Sequence, residues 1–185
     1  FDPVRREIGR VSMGRLVQDG RIHPGRIEQI VAKAKKDVEK EMKAAGRQAL
    51  YDAKISGGMN NDLIRLLGAP KYRTSYGQNV LAHSVEVANL CGMMAAELGA
   101  NVKLSRRGAL LHDVGKAIDH EVEGTHALIG GRFAKKSGEP EDVVRAISAH
   151  HHEIEMETVE DVLVATADAV SAARPGARRE TTETY

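Results

Sequence analysis

Aromatic residues supply only 3% of the 185 positions, as two Phe, four Tyr and no Trp. A core must therefore be built from Leu, Ile, Val, Met and Ala, a composition that favours helices. Strand-type alternation of apolar and polar residues is nearly absent, which argues against a sheet protein. Cysteine occurs once, at Cys91. An internal disulfide is excluded, a reducing cytosol is indicated, and the setting Asn89-Leu90-Cys91-Gly92-Met93-Met94 is that of a packed core residue. No apolar run approaches the roughly 20 residues that a bilayer crossing needs, and no signal-peptide pattern is present. A dominant charge is missing too: 27 basic and 26 acidic residues leave a net charge of +1, so any nucleic-acid affinity must come from a local patch. The chain opens on Phe1-Asp2-Pro3 without Met and reads as a piece of a longer protein.

What is present is helical punctuation. Asp2-Pro3 opens a first helix, whose apolar residues Val4, Ile8, Val11 and Leu16 carry it to Asp19-Gly20. Pro24 opens a long second helix in which Ile27, Val31, Ala34, Val38, Met42, Ala45 and Ala49 form one narrow stripe in a charged background. Such a stripe suits a single partner helix, and residues 1–58 are expected to form a helical arm or dimerisation strut. Gly57-Gly58 breaks the pattern, and residues 59–185 are expected to form the globular part. There a short helix, Leu63-Ile64-Arg65-Leu66-Leu67, is closed by Gly68 and Pro70. Further helices are predicted over about 78–98, 103–113, 126–136, 141–151 and 159–173. The fold class is all-α, a helical bundle with a long N-terminal arm.

Polar residues recur where such helices should be apolar. His83 stands among Val80, Leu81, Val85 and Val87, and Asp168 lies within Val164-Ala165-Thr166-Ala167-Asp168-Ala169-Val170. Between them come His112-Asp113, His126 and His150-His151. Buried imidazoles and carboxylates without partners are costly, and a cation is a usual remedy. His83, His112, Asp113 and Asp168 supply an N/O set for one divalent ion with positions left open, which distinguishes a catalytic from a structural site. His126, His150 and His151, with Asp113 bridging, suit a second. Adjacent residues His112 and Asp113 can share an ion only near a helix end, and Val114-Gly115 supplies one. Lys116 is placed to neutralise a transferring phosphate. His23 beside Pro24 reads as a loop or capping residue. His152 is left out of the set, because three successive residues cannot all face one point.

The ordered set His83, His112-Asp113, His126, His150-His151 and Asp168 resembles the HD superfamily of metal-dependent phosphohydrolases. Three strings sharpen the likeness: Lys71-Tyr72-Arg73-Thr74-Ser75-Tyr76-Gly77-Gln78-Asn79-Val80-Leu81, Ala117-Ile118-Asp119-His120-Glu121-Val122-Glu123-Gly124, and Ala172-Ala173-Arg174-Pro175-Gly176-Ala177-Arg178-Arg179-Glu180-Thr181. They are similar to the catalytic HD domains of the ribonuclease Y family. The resemblance implies a metal-dependent endoribonuclease domain that hydrolyses single-stranded RNA in messenger decay, with His112 and Asp113 as the indispensable pair; Asp113 and Lys116 are the expected catalytic residues. It implies one or two divalent ions, for which Mn, Zn, Fe, Ni and Mg all suit a mixed N/O set. It further implies a cytoplasmic location, a homodimer, RNA-decay protein partners, and a membrane anchor and KH domain preceding this stretch, which itself makes no direct membrane contact. His152 stands where the family pattern has Gly. Arg73, Arg174, Arg178 and Arg179 are the expected substrate-binding cations, since guanidinium groups engage phosphates bidentately, and Tyr76 beside them offers a stacking surface. The same ligand order would serve a nucleotide phosphohydrolase, and a catalytically silent scaffold is the third reading. A scaffold would have no reason to bury intact ligands.

Overall fold

The computed structural model describes residues 2–119 and 122–174, which form eight α-helices. Helix α1 spans Pro3–Asp19 and α2 spans Pro24–Asp52. Helix α3 is Asn61–Gly68, α4 is Val80–Leu98, α5 is Val102–Leu111, α6 is His126–Lys136, α7 is Glu141–Ala149 and α8 is Val159–Ala173. The starts are chemically marked. The Asp2 carboxylate accepts from the Val4 N–H at 2.8 Å, His23 Nδ1 accepts from the Gly25 N–H, and Asn79 and Asn101 cap α4 and α5. Thr158 and Asp161 form a reciprocal capping box on α8,. Gly20 and Gly99 take left-handed conformations that end α1 and α4,.

The all-α expectation holds, with one addition. Thr74–Ser75 and Gln78–Asn79 pair as a tight antiparallel hairpin, so the helix expected from residue 78 begins at Val80. Tyr76 and Gly77 form its tip at φ of 50° and 85°, the doubly positive combination of a primed turn. An aromatic side chain is uncommon there.

Helix α4 packs on α5 and α8, α6 packs on α7, and their apolar faces meet in one core around Val87, Leu110, Leu111, Ile147 and Val164. Most of the α2 stripe is covered by its own chain: Ala34, Val38, Met42 and Ala49 are buried, beneath Val4, Ile8 and Val11 of α1 and the adjoining face of α3, whereas Val31 is exposed. The approach to α3 is close enough to demand glycine, since a Cβ on Gly68 would lie 1.8 Å from the Met42 carbonyl oxygen. Ala49 and Ala53 belong to the main core, so the arm is packed into the globular part at its C-terminal end. No helix among the described residues is long and apolar enough to cross a membrane.

Candidate metal centre

Helix α5 ends at Leu111. His112 keeps helical dihedrals, Asp113 turns to φ −95° and ψ 6°, and Val114–Ala117 continue as a 3-10 turn. The turn aims two adjacent side chains into one space. His83 arrives from α4, Asp168 from α8, His126 from the first residue of α6, and His150-His151 from the end of α7. The seven expected ligand residues therefore come together from different elements.

They form two overlapping groups. On one side His83 Nε2 lies 2.9 Å and His112 Nε2 3.7 Å from Asp168 Oδ1, with Asp113 Oδ2 3.5 Å from His112 Nε2. On the other, Asp113 Oδ1 faces His126 Nε2 at 3.3 Å and His150 Nε2 at 4.0 Å. His126, His150 and His151 bring one donor atom each to within 4.8 Å of one another. Asp113 thus presents one oxygen to each group.

The surroundings select the form of each ring. Nδ1 of His112 lies 2.6 Å from the Ala109 carbonyl and Nδ1 of His150 lies 2.6 Å from the Ile147 carbonyl. A carbonyl only accepts, so Nδ1 carries the proton and the Nε2 lone pair faces the cluster. Burial pushes His126 and His150 down from the usual imidazole range, toward the neutral form a cation needs,. Burial alone would raise the Asp113 carboxyl, but His112 and Lys116 outweigh it and hold the group well below the carboxylate range. Asp168 is held down against its own burial by the hydrogen bond from His83 and by His112.

The donor set is then tested by its orphans. Buried His112 Nε2, Asp113 Oδ1, His126 Nε2 and His150 Nε2 have no hydrogen-bond partner. Four unsatisfied donor atoms converging on one cavity would be a severe cost in a structural core. They fit one or two divalent cations, which would satisfy all four.

A cavity of about 370 Å³ opens over the cluster. Its wall carries Arg73, Tyr76, Lys116 and Asp119. Lys116 Nζ donates to Asp113 Oδ2 at 2.8 Å. The Arg73 guanidinium is held by Asp119 at 2.7 Å and by the Lys116 carbonyl. The Arg174 guanidinium grips Glu86 of α4 at 2.5 and 2.9 Å and does not line this cavity. Arg178 and Arg179 lie outside the described residues. His152 takes φ of 62°, a left-handed position of the kind that favours glycine, and its exposed side chain is not among the clustered groups. Sequence reasoning missed Ser171, whose Oγ lies 3.0 Å from His83 Nδ1, and the close packing at Gly115, which it had read only as a helix ending. A Cβ on Gly115 would lie 1.9 Å from the His126 carbonyl oxygen, so only glycine lets α6 bring His126 against Asp113.

The HD domain family is matched over residues 80–173, the stretch that contributes every member of the cluster. Relatives named ribonuclease Y are similar along the whole chain: 83% identical in Rubrobacter xylanophilus, 62% in Desulforudis audaxviator and 58% in Fusobacterium nucleatum. The chain spans 36% of the length of each. No solved structure matches it.

Proposed function

The chain belongs to the HD domain family, and from that premise we propose that it is the catalytic part of a metal-dependent endoribonuclease acting on single-stranded RNA. The observation that carries the metal reading is the convergence of orphaned His112 Nε2, Asp113 Oδ1, His126 Nε2 and His150 Nε2 beneath an open cavity. RNA as the substrate is supported by the relatives' name and by a cavity wall that offers Arg73 and Tyr76 beside the cluster. His83, His112, Asp113 and Asp168 would hold one ion, and Asp113, His126, His150 and His151 a second. Bound there, the ions would polarise the phosphoryl group and activate water for in-line displacement.

The chain's own groups have separable tasks. Asp113 orients both halves of the donor set through its two oxygens. Lys116, at the edge of the cavity, supplies a point charge for the phosphate. Arg73 is pre-positioned by Asp119 to meet the neighbouring backbone,. Arg174, Arg178 and Arg179 would extend this contact once Arg174 exchanges Glu86 for phosphate. In the longer protein we assign this chain to a cytoplasmic, membrane-anchored homodimer that works with other RNA-decay proteins, on the strength of the resemblance.

The test uses the purified chain with manganese, an end-labelled single-stranded RNA, nucleoside triphosphates and a small phosphodiester. Internal cleavage of the RNA is expected, with metal content and cleavage both lost in Asp113→Ala. Nucleoside phosphates hydrolysed far faster than RNA would replace this reading with a nucleotide phosphohydrolase, and unchanged metal content in Asp113→Ala would overturn the ligand assignment.

A further inference from the structure

The outward face of α2 is not used by the packing or by the metal centre. At 100° per residue, Lys33, Lys36, Lys40, Arg47 and Tyr51 fall within a sector of about 60°, opposite the buried Val38, Met42 and Ala49 and along about 27 Å of helix. All five are exposed, Tyr51 by 79%. Lys33, Lys36, Lys40 and Arg47 have no ion-pair or hydrogen-bond partner among the described residues.

The acidic residues that could neutralise this row are drawn away by other elements. Asp37 pairs with Arg15 of α1 at 2.7 Å, and Glu39 with Arg65 of α3 at 3.3 Å. Glu41 accepts from Lys71 at 3.2 Å and from the Tyr72 hydroxyl at 2.9 Å. A chain of net charge +1 thus exposes a row of four free cations ending in a solvent-facing aromatic ring. A row of cations with a stacking ring is the combination that tracks a single-stranded nucleic acid without reading its sequence. A helix that lies in a membrane surface would need a broad apolar face, and the exposed non-polar side chains in and beside this row are Ala32, Ala44 and Tyr51.

We infer that the outward face of α2 is a second RNA-binding surface, on which Lys33, Lys36, Lys40 and Arg47 hold the phosphates of a single strand and Tyr51 stacks on a base. The inference rests on the proposed function in taking RNA as the polyanion. It gives the enzyme a grip on substrate away from the cleavage site, so length of RNA, and not chemistry at the metals, is what it affects.

The experiment compares the intact chain with a variant carrying Lys33→Gln, Lys36→Gln, Lys40→Gln and Arg47→Gln, using a long single-stranded RNA, a trinucleotide, a small phosphodiester and vesicles containing anionic lipid. The variant should bind the long RNA at least about tenfold more weakly at low salt, and its salt slope should fall by about 3, at roughly 0.7 per lost phosphate contact. Tyr51→Ala should cost about fivefold or more and Tyr51→Phe little. Cleavage of the trinucleotide and the small diester, and the melting temperature, should not change. A variant with Arg at Lys33, Lys36 and Lys40 should bind like the original. Equal affinity and equal salt slope in the Gln variant would overturn the inference. So would loss of vesicle binding with RNA binding intact, which would make the face a membrane surface. If the unaltered chain binds RNA through this face but cleaves none, the proposed function fails while this inference stands.

Discussion

Lys116 occupies a position that a metal ion would contest. Its ammonium lies 2.8 Å from Asp113 Oδ2, where it serves as an internal counter-ion to a buried carboxylate. A cation held by Asp113 would compete with the lysine for that carboxylate, and the lysine lies at the edge of the cavity. Lys116→Ala should retain metal, or bind it more tightly for lack of a competitor, while single-turnover cleavage falls on the order of 10²-fold. Parallel loss of metal and rate would show the lysine to be a support of the site. At this scale the ligands were legible in the sequence, because His83 and Asp168 interrupt runs of apolar residues at helical spacing. Their supports were not. Ser171 meets His83 across 88 positions, and such a contact depends on how α4 and α8 pack, which no local pattern encodes. The contact of Arg174 was illegible for the same reason: its partner Glu86 is also 88 positions away.

Among the elements, the 3-10 turn after Asp113 and the start of α6 are fixed to each other through Gly115. The 1.9 Å separation between a hypothetical Cβ and the His126 carbonyl involves backbone, so the strain cannot be relieved by a rotamer change. Gly115→Ala should cost about 1 to 3 kcal/mol of stability, and should displace His126 from Asp113. Metal titration is expected to show the group containing His126, His150 and His151 weakened, with the His83, His112 and Asp168 group retained; equal weakening of both would argue against two separable sets. Helix starts were readable here because Asp2-Pro3 and Pro24 carry their own start signals. The hairpin was not, since strands of two residues have no periodicity to detect. The stripe of α2 was legible, but its cover was not: periodicity reveals an apolar face without saying whether its partner lies in the same chain.

For the molecule as a whole, five elements converge on the centre, so metal occupancy should act as folding energy. With free ion at about 100 times its dissociation constant, binding to the native state alone adds about 2.7 kcal/mol. Manganese should raise the melting temperature of the intact chain and a chelator should reverse the change, with no response from Asp113→Ala; an identical response from that variant would place the binding elsewhere. The first and last helices of the family-matched stretch give this centre a further property. His83 of α4 and Asp168 of α8 meet at 2.9 Å although 85 positions separate them, which brings the opening turns of α4 beside the closing turns of α8. Topologically the stretch is a nearly closed circuit, and the lead into it runs past the cavity. The hairpin before α4 is thereby delivered to the rim of the cavity, where Ser75, Tyr76 and Gln78 line it. In that geometry, changes in the flanking sequence can retune what the cavity accepts without disturbing the helices that hold its floor.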